Sequence, residues 1–490
     1  MRDYLKSRKD YFIILGLVLL CVFPLFKMEY ATDTYTAYSI GLGGVAKTMF
    51  LNGRYITGLL ALALHNMKAT IEIYYYISFV LSFICMSIAI YALFTVLRDH
   101  MSRRLSFFIA FISIFNVCAI EYFLFIEKGA FCFSILMATL AVKYFVLFLQ
   151  GNKNYLFLAF PCLILSAITY QIIPGVFVTL SLPFIIKYSK SLKAFLLNNL
   201  FAVLIYGSGT GIDYLIVKLT QDNHRVGSGM HLSNIWKFYS FCTYHFAFIF
   251  LYIGIIAISL GIFALVNKKR TGKYLTKESL LIYAKYFYIV LGVMAVTVIP
   301  FVFTDPAEVW IMFRVTYPFG ALPGAILIMK NYKEEYTAEA TKIKAKKKVS
   351  TILLASFFAV HLVFFHTMVF SRLINNEADY EQFEYIYNEI TEYERESGKR
   401  VSKIVIYYDK ELTHANPHTI VIGDCNVRAL SRHWSDVNMI NALSGRWFNR
   451  SYDDKDKNPQ YKAYFESQNW SALADEQFIF DGTTLHLCVY

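Results

Sequence analysis

A carboxylate and a guanidinium flank one amphipathic segment near the start of the chain. Asp33 follows the first apolar block, and Arg54 comes about twenty residues later, after Asn52 and Gly53. The segment between them has the pattern of a helix that lies in the membrane interface, which would hold both charges at the depth of a lipid headgroup. The simpler interpretation is that Asp33 caps this helix and that Arg54 pairs with it or extends toward water.

Further charged residues occur in links that we expect at the same membrane surface. They are Glu121, Glu127, Lys128, Asp305, Glu308 and Arg314. Ionisable residues within the apolar blocks are scattered, without the pairing that a proton relay needs. Because Glu127 and Lys128 are neighbours of opposite charge, that pair by itself favours a solvated helix end. Arg314 close to Tyr317 is equally typical of an interfacial anchor.

The elements that must position these residues are membrane-spanning helices. Of the 490 residues, 57% are hydrophobic and only 17% are charged, and the apolar residues come in blocks of roughly 16 to 28 residues. Such blocks can cross a hydrocarbon layer about 30 Å thick. We count eleven, from residues 11–26 to residues 349–370, which predicts a polytopic α-helical membrane protein. The same composition excludes a soluble globular chain, a disordered chain and a coiled coil.

The placement of basic residues predicts how the helices are oriented. The formal net charge is +12, and the basic residues concentrate in every second link between apolar blocks. This pattern fits loop topology better than nucleic-acid binding. It predicts a cytoplasmic N-terminus and an extracytoplasmic C-terminal part, in an inner (plasma) membrane. The alternation requires the short blocks on either side of Tyr170 to be two helices, although Pro174 would also fit one kinked helix.

The last part of the chain has a different composition. From Arg372 onward acidic residues outnumber basic ones, and short runs at residues 403–408, 419–422 and 484–490 are rich in β-branched and aromatic residues. These runs predict a small mixed sheet. We therefore divide the chain into a transmembrane domain, residues 1–370, and a soluble extracytoplasmic α/β domain, residues 371–490. An oxidising compartment would allow Cys425 and Cys488 to form a disulfide, which their spacing alone does not establish.

The overall layout resembles the Gtr-type, serotype-converting glucosyltransferases of the GT-C superfamily. The features that carry the resemblance are Asp33 after the first helix, the interfacial segment ending in Asn52, Gly53 and Arg54, the Tyr170 and Gln171 pair, and the outer C-terminal domain. The resemblance covers most of residues 1–370. It implies a GT-C-like bundle of about eleven helices with interfacial helices in the first outer link.

The resemblance also implies a reaction. A hexose, with glucose as the expected sugar, would pass from a polyprenyl (undecaprenyl) phosphate carrier to a hydroxyl of a surface polysaccharide such as lipopolysaccharide O-antigen. The reaction would invert the anomeric centre and use no metal ion or other cofactor. The implied site residues are Asp33 as catalytic base with Glu121 and Glu127 as alternates, Arg54 and Arg314 for the carrier phosphate, and Tyr170, Gln171 and Trp310 for the sugar. A flippase and an enzyme that charges the carrier with glucose would be functional partners.

Two other functions are compatible with the sequence. A polysaccharide polymerase or ligase also joins lipid-linked sugars at this surface, although it would usually rely on outer-link arginines without a first-link carboxylate. A transporter or flippase of lipid-linked sugar would need a polar path through the bundle, which the apolar helix centres do not favour. Aromatic residues such as Tyr170 and Trp310 are also typical of an interface belt. The histidines lack the spacing of a zinc site.

Overall fold

A computed structural model describes residues 2–220, 230–245, 277–302, 304–306, 309, 311–333, 344–408, 419–422, 425–451, 458–468, 470 and 474–489. Within these ranges the protein is mostly helical, with a four-stranded sheet near the C-terminus.

The helices of these ranges are labelled in chain order. They are α1 Arg2–Val22, α2 Thr32–Leu51, α3 Tyr55–Asn66, α4 Ile71–Leu97, α5 Arg103–Ile114, α6 Ala119–Phe123, α7 Lys128–Leu149, α8 Tyr155–Ala167, α9 Gly175–Tyr188, α10 Leu192–Thr220, α11 Ser233–His245, α12 Lys277–Val302, α13 Tyr317–Gly320, α14 Leu322–Asn331, α15 Lys344–Ser397, α16 Asp436–Ser444 and α17 Pro459–Glu466. The strands are β1 Lys403–Tyr408, β2 Asn449–Arg450, β3 Phe478–Asp481 and β4 Thr484–Val489.

Six of the described helices are long and apolar enough to cross a membrane, so the chain is a polytopic helical membrane protein, as predicted. The candidate spans are Lys9–Phe26, Ile71–Leu97, Lys128–Leu149, Leu192–Leu219, Leu280–Val302 and Phe358–Ser397. Helices α8 and α9 are also apolar but have only 13 and 14 residues, which is about 20 Å at 1.5 Å per residue. The count of eleven stays a prediction, and one of its blocks, residues 238–266, lies mostly outside the described residues.

The chain leaves the helical conformation between α8 and α9, so the two apolar blocks around Tyr170 are separate helices, as predicted. Pro174 stands just before α9, where its missing N–H leaves no helical hydrogen bond unmade. The Ile168 carbonyl after α8 accepts a hydrogen bond from the backbone N–H of Tyr55 at 2.8 Å. The break therefore joins the start of α3 to the segment that carries Tyr170.

The sheet has the order β2-β1-β4-β3 and is mixed. β1 is parallel to β2 and to β4, while β3 is antiparallel to β4. Two of the three apolar runs expected in the sheet form β1 and β4, whereas the third contributes an isolated bridge between Ile422 and Cys425. Helix α15 continues without interruption from the bundle into this part of the chain, so the predicted domain boundary at residue 370 falls inside a helix.

The two ends of the bundle carry different links. At one end Arg103 donates to Asp10, the Gln150 amide donates to the Tyr188 hydroxyl at 2.9 Å, and the Lys333 N–H donates to the His100 carbonyl at 3.2 Å. These are links that the sequence predicts to be cytoplasmic, and we call this the basic end. The first link and the C-terminal segment meet at the other end.

The contact between α2 and α16 shows that these two segments share one end. The Thr36 hydroxyl donates to the Trp434 carbonyl at 2.9 Å, and the Ser39 hydroxyl donates to the Asn438 carbonyl at 3.1 Å. Tyr35 is buried in the same apolar cluster as Ile440 and the strands. Helix α2 is thus held between the bundle and the sheet.

Candidate functional site

Asp33 lies in the first turn of α2, half-buried between two buried threonines. The Thr34 hydroxyl accepts a hydrogen bond from the backbone N–H of Ala31 at 3.1 Å, so the helix start is fixed without a cap from Asp33. Just before the helix, Tyr30 and the Asn376 side chain of α15 exchange two hydrogen bonds of 2.8 and 2.7 Å. The backbone that carries the Asp33 carboxylate is therefore fixed both by the start of α2 and by α15.

Arg54 follows a tight turn that the Gln171 side chain holds in place. The Gln171 amide donates to the carbonyls of Asn52 and Gly53, each at 3.1 Å. Gly53 has a φ of 71°, in the left-handed region, and a Cβ there would lie 2.6 Å from Val217 Cγ2. Glycine satisfies both requirements of this turn.

The Arg54 guanidinium is packed against rings and has no carboxylate bound to it among the described residues. Its Cζ lies 4.9 Å from the ring centre of Tyr170 and 5.9 Å from that of Phe131. Its Nη1 lies 4.0 Å from the sulfur of Met49, and its Nε has no hydrogen-bond partner in the part of the chain that the structure describes. A half-buried cation with these neighbours retains donors for an anion.

Arg314 is held by Glu121. The Arg314 Nη1 lies 2.8 Å from Glu121 Oε1, and the Arg314 backbone N–H donates to Glu121 Oε2 at 2.8 Å. The Arg314 guanidinium also lies 4.3 Å from the ring centre of Phe125, and the Tyr122 hydroxyl donates to the Arg314 carbonyl at 2.5 Å. Because Glu121 is completely buried and both of its oxygens are engaged, its evident role is to position Arg314.

Glu121 can reach Arg314 because one predicted helix is interrupted. The sequence suggests a continuous apolar block over residues 106–125, but α5 ends at Ile114 and the short α6 follows. At the break the Asn116 side chain accepts a hydrogen bond from the Cys118 N–H at 3.0 Å and donates to the Ser113 carbonyl at 3.3 Å. The side chain thereby replaces backbone bonds of the helix, and α6 carries Glu121 toward Arg314.

Glu127 completes the charged cluster. It is only 3% exposed, and burial raises its pKa from 4.5 to about 7. The negative charge of Asp33 adds to this rise, whereas Arg54 and Arg314 oppose it. Asp33, Arg54 and Arg314 therefore all lie near enough to act on Glu127, whose carboxyl is partly protonated near neutral pH.

Lys128 belongs to a different group of charges. The expectation of a solvated Glu127–Lys128 pair at a helix end is wrong, because both side chains are buried. The Lys128 ammonium lies 3.2 Å from Glu29 Oε1 and 3.7 Å from the ring centre of Tyr75. Arg372 of α15 approaches the other oxygen of Glu29 at 3.8 Å. This buried group joins the first link, α7 and α15, and the charge of Glu127 also acts on Lys128.

The structure places the three residues predicted to orient a sugar in different surroundings. Tyr170 is buried beneath Arg54, and its ring also meets Tyr122 at 5.9 Å between centres. Gln171 is half-buried and engaged with the Asn52–Gly53 turn. Trp310 lies outside the described residues.

Asp213 of α10 is a residue that the sequence reasoning did not assign to the site. It is 5% exposed, and its Oδ1 lies 3.9 Å from the position that a Cβ on Gly53 would occupy. An ionisable residue inside an apolar helix is the signal that could have drawn attention to it.

The described residues contain neither a metal-binding group nor a disulfide. The described residues contain no group of three or more His, Cys, Asp or Glu side chains that could hold a metal ion. Cys425 and Cys488 are both buried, pack in two different apolar clusters and are not joined by a disulfide. The disulfide that the sequence allowed is therefore not formed.

Comparison of the chain with known protein families, curated proteins and solved structures gives no match. Its function is therefore inferred from the residues, from their geometry and from the resemblance of the sequence layout described above.

Proposed function

We propose that the protein is a glycosyltransferase that moves a hexose from a polyprenyl phosphate carrier to a polysaccharide hydroxyl at the membrane surface. The observation that carries the proposal is the group of three charged residues around buried Glu127: Asp33, Arg54 and Arg314 each lie near enough to act on its carboxyl group. Glucose as the sugar and lipopolysaccharide O-antigen as the acceptor follow from the resemblance to Gtr-type enzymes. Metal-independent, inverting transfer is likewise part of the proposal that follows from this resemblance.

The two arginines are suited to bind the carrier phosphate. Arg54 has unengaged donors next to aromatic rings, and Arg314 is oriented by Glu121 with its side chain 12% exposed. As the bond between the sugar and the phosphate breaks, negative charge grows on the phosphate oxygens. Guanidinium groups fixed beforehand stabilise that charge more than the charge of the intact donor, which lowers the barrier.

Asp33 is the residue that we assign as the catalytic base. The acceptor oxygen attacks the anomeric carbon, its proton passes to Asp33, and the electron pair of the breaking carbon–oxygen bond stays on the released carrier phosphate. Asp33 fits this role better than its alternates, because Glu121 is engaged with Arg314 and Glu127 is nearly inaccessible and partly protonated. A positioned base of this kind contributes about 10² to 10⁴ in rate.

The proposal is tested by replacing Asp33. Purified full-length protein is incubated with polyprenyl phosphate glucose and candidate polysaccharide acceptors, and the product is read by mass. Asp33→Asn should lower turnover by about 10² or more while donor binding is kept. The matched control is Glu377→Gln, which removes an exposed carboxylate at the same end that pairs with Lys27 at 3.4 Å.

The outcomes separate the candidate functions. Full turnover of Asp33→Asn would contradict the assigned base, and the absence of any glycosylated product from all acceptors would contradict the transferase. Movement of the lipid-linked sugar across proteoliposomes without product would favour a transporter. A longer polymer of the same repeat would favour a polymerase.

We also propose the finer topology: eleven spans, a cytoplasmic N-terminus, and residues 371–490 as an extracytoplasmic domain that helps to position the acceptor. Two contacts support it. The basic links share one end of the bundle, and α2 meets α16 at the other end. A cysteine placed after Tyr490 in a cysteine-free variant should react with an impermeant maleimide on intact spheroplasts. Protection of that cysteine until the membrane is opened would contradict the orientation.

A further inference from the structure

A cavity lies at the basic end of the bundle, away from the charged cluster. Its volume is about 430 Å³, and it is open on one side and lined by residues of α1, α4, α5 and α15. The walls are almost entirely apolar and are dominated by five phenylalanines, Phe94, Phe107, Phe108, Phe111 and Phe358. Water in such a space would find almost no hydrogen-bond partners, so an apolar occupant is favoured.

The rim of the cavity is basic. Arg103 donates to Asp10, and its side chain remains 63% exposed. Arg104 is exposed and also lines the cavity, and Lys9 is exposed beside Asp10. Among the described residues that line the cavity, Arg103 and Arg104 stand against one carboxylate, Asp10, so the lining carries a net positive charge. An occupant with an apolar body and a negative head matches this arrangement.

We propose that the cavity binds one acyl chain of an anionic phospholipid, whose phosphate contacts Arg104 and the exposed side of Arg103. A peptide segment is a poorer occupant, because apolar walls offer no partners for its backbone N–H and C=O groups. A lipid chain has no such groups. Basic pockets between membrane helices are suited to anionic headgroups, each exposed Arg or Lys contributing about fivefold in affinity.

The test uses full-length protein in phosphatidylcholine vesicles that contain a small fraction of phosphatidylglycerol with a photoreactive acyl chain. After irradiation and digestion, mass spectrometry locates the labelled residues. Label should concentrate on the cavity phenylalanines relative to Leu196, a lipid-exposed residue of α10 that is 59% exposed. The same chain carried by phosphatidylcholine should label the cavity about fivefold or more weakly.

Two variants distinguish the contribution of the lipid headgroup to labelling from that of the acyl chain. Arg104→Gln should reduce labelling by the phosphatidylglycerol probe about fivefold, while Ala355→Phe, which fills the cavity, should reduce labelling by both probes. The matched control is Arg98→Gln, at the same end of the bundle but outside the cavity, where Arg98 pairs with Asp99 at 3.6 Å. It should leave labelling unchanged.

The unmodified protein alone can overturn the proposal. Label spread evenly over α10 and the cavity, or equal labelling by the two probes, would refute it whether or not the variants fold. Loss of labelling in Arg98→Gln equal to that in Arg104→Gln would refute the assignment of the headgroup site. None of these outcomes depends on the glycosyltransferase activity proposed above.

Discussion

Glu127 should hold a proton in the folded protein near neutral pH, which makes the geometry of the charged cluster testable without a substrate. Its pKa rises from 4.5 to about 7, chiefly through burial. A shift of that size is worth about 3 kcal/mol, at about 1.4 kcal/mol per pKa unit. Between pH 4.5 and about 7 the folded state binds more protons than the unfolded chain. Glu127 therefore makes stability fall as pH rises through this window.

The perturbation is Glu127→Gln, which keeps the shape of the side chain and removes its ionisation. Below pH 4.5 the variant and the wild type should be similarly stable in detergent micelles. Above pH 7 the variant should be more stable by up to about 3 kcal/mol, because the wild type then carries a buried charge.

Infrared spectroscopy gives the direct measurement, since a protonated carboxyl group has a C=O stretching band of its own. The band should disappear with a midpoint near pH 7 in the wild type and be absent from Glu127→Gln. Asp33→Asn should move the midpoint to lower pH, because one of the charges that opposes ionisation is gone. A midpoint near 4.5, or one that is insensitive to Asp33, would refute the placement of these two carboxyl groups.

Two further substitutions test the positions of the arginines by thermal unfolding. Gly53→Ala should lower the free energy of unfolding by about 2–4 kcal/mol, because a backbone strain of about 1 kcal/mol is joined by a steric clash. The control is Gly398→Ala, where φ is 69° and nothing lies within 4 Å of the Cβ position, so that only the backbone strain should apply. Equal costs for the two variants would contradict the tight turn before Arg54. Glu121→Gln should lower the free energy of unfolding by about 3 kcal/mol, because it leaves Arg314 without its buried partner. The control is Glu392→Gln, which loses an exposed ion pair and should change stability by less than about 0.5 kcal/mol. A small effect at Glu121 would contradict its pairing with Arg314.

The sequence predicts those parts of the fold that depend on the composition and spacing of its residues. Long apolar blocks predict a polytopic helical protein, and β-branched runs predict β1 and β4. The separation of α8 and α9 follows from the alternation of basic links. The first two features depend on residues that are close in sequence, and the third depends on the order of the basic links along the chain, so composition and spacing carry the information in each case.

Contacts between distant segments could not be predicted in the same way. Arg314 and Glu121 are 193 positions apart, and Lys128 and Glu29 are 99 apart. Nothing in a single sequence assigns one charge to another across such distances, which explains why the sequence favours a solvated pair at Glu127 and Lys128. The break after Ile114 was missed for a related reason, because the Asn116 side chain that replaces the backbone bonds lies within an otherwise apolar block.

Helix α15 has 54 residues, about 80 Å at 1.5 Å per residue, of which a hydrocarbon layer occupies only about 30 Å. When the part of this rod-like helix inside the bilayer tilts, the part outside the bilayer must move with it. When the membrane becomes thinner or thicker, the rod tilts, and its far end swings together with the sheet attached to it. Because that sheet contacts α2 through α16, we expect a change in lipid thickness that tilts α15 to shift the position of Asp33 as well.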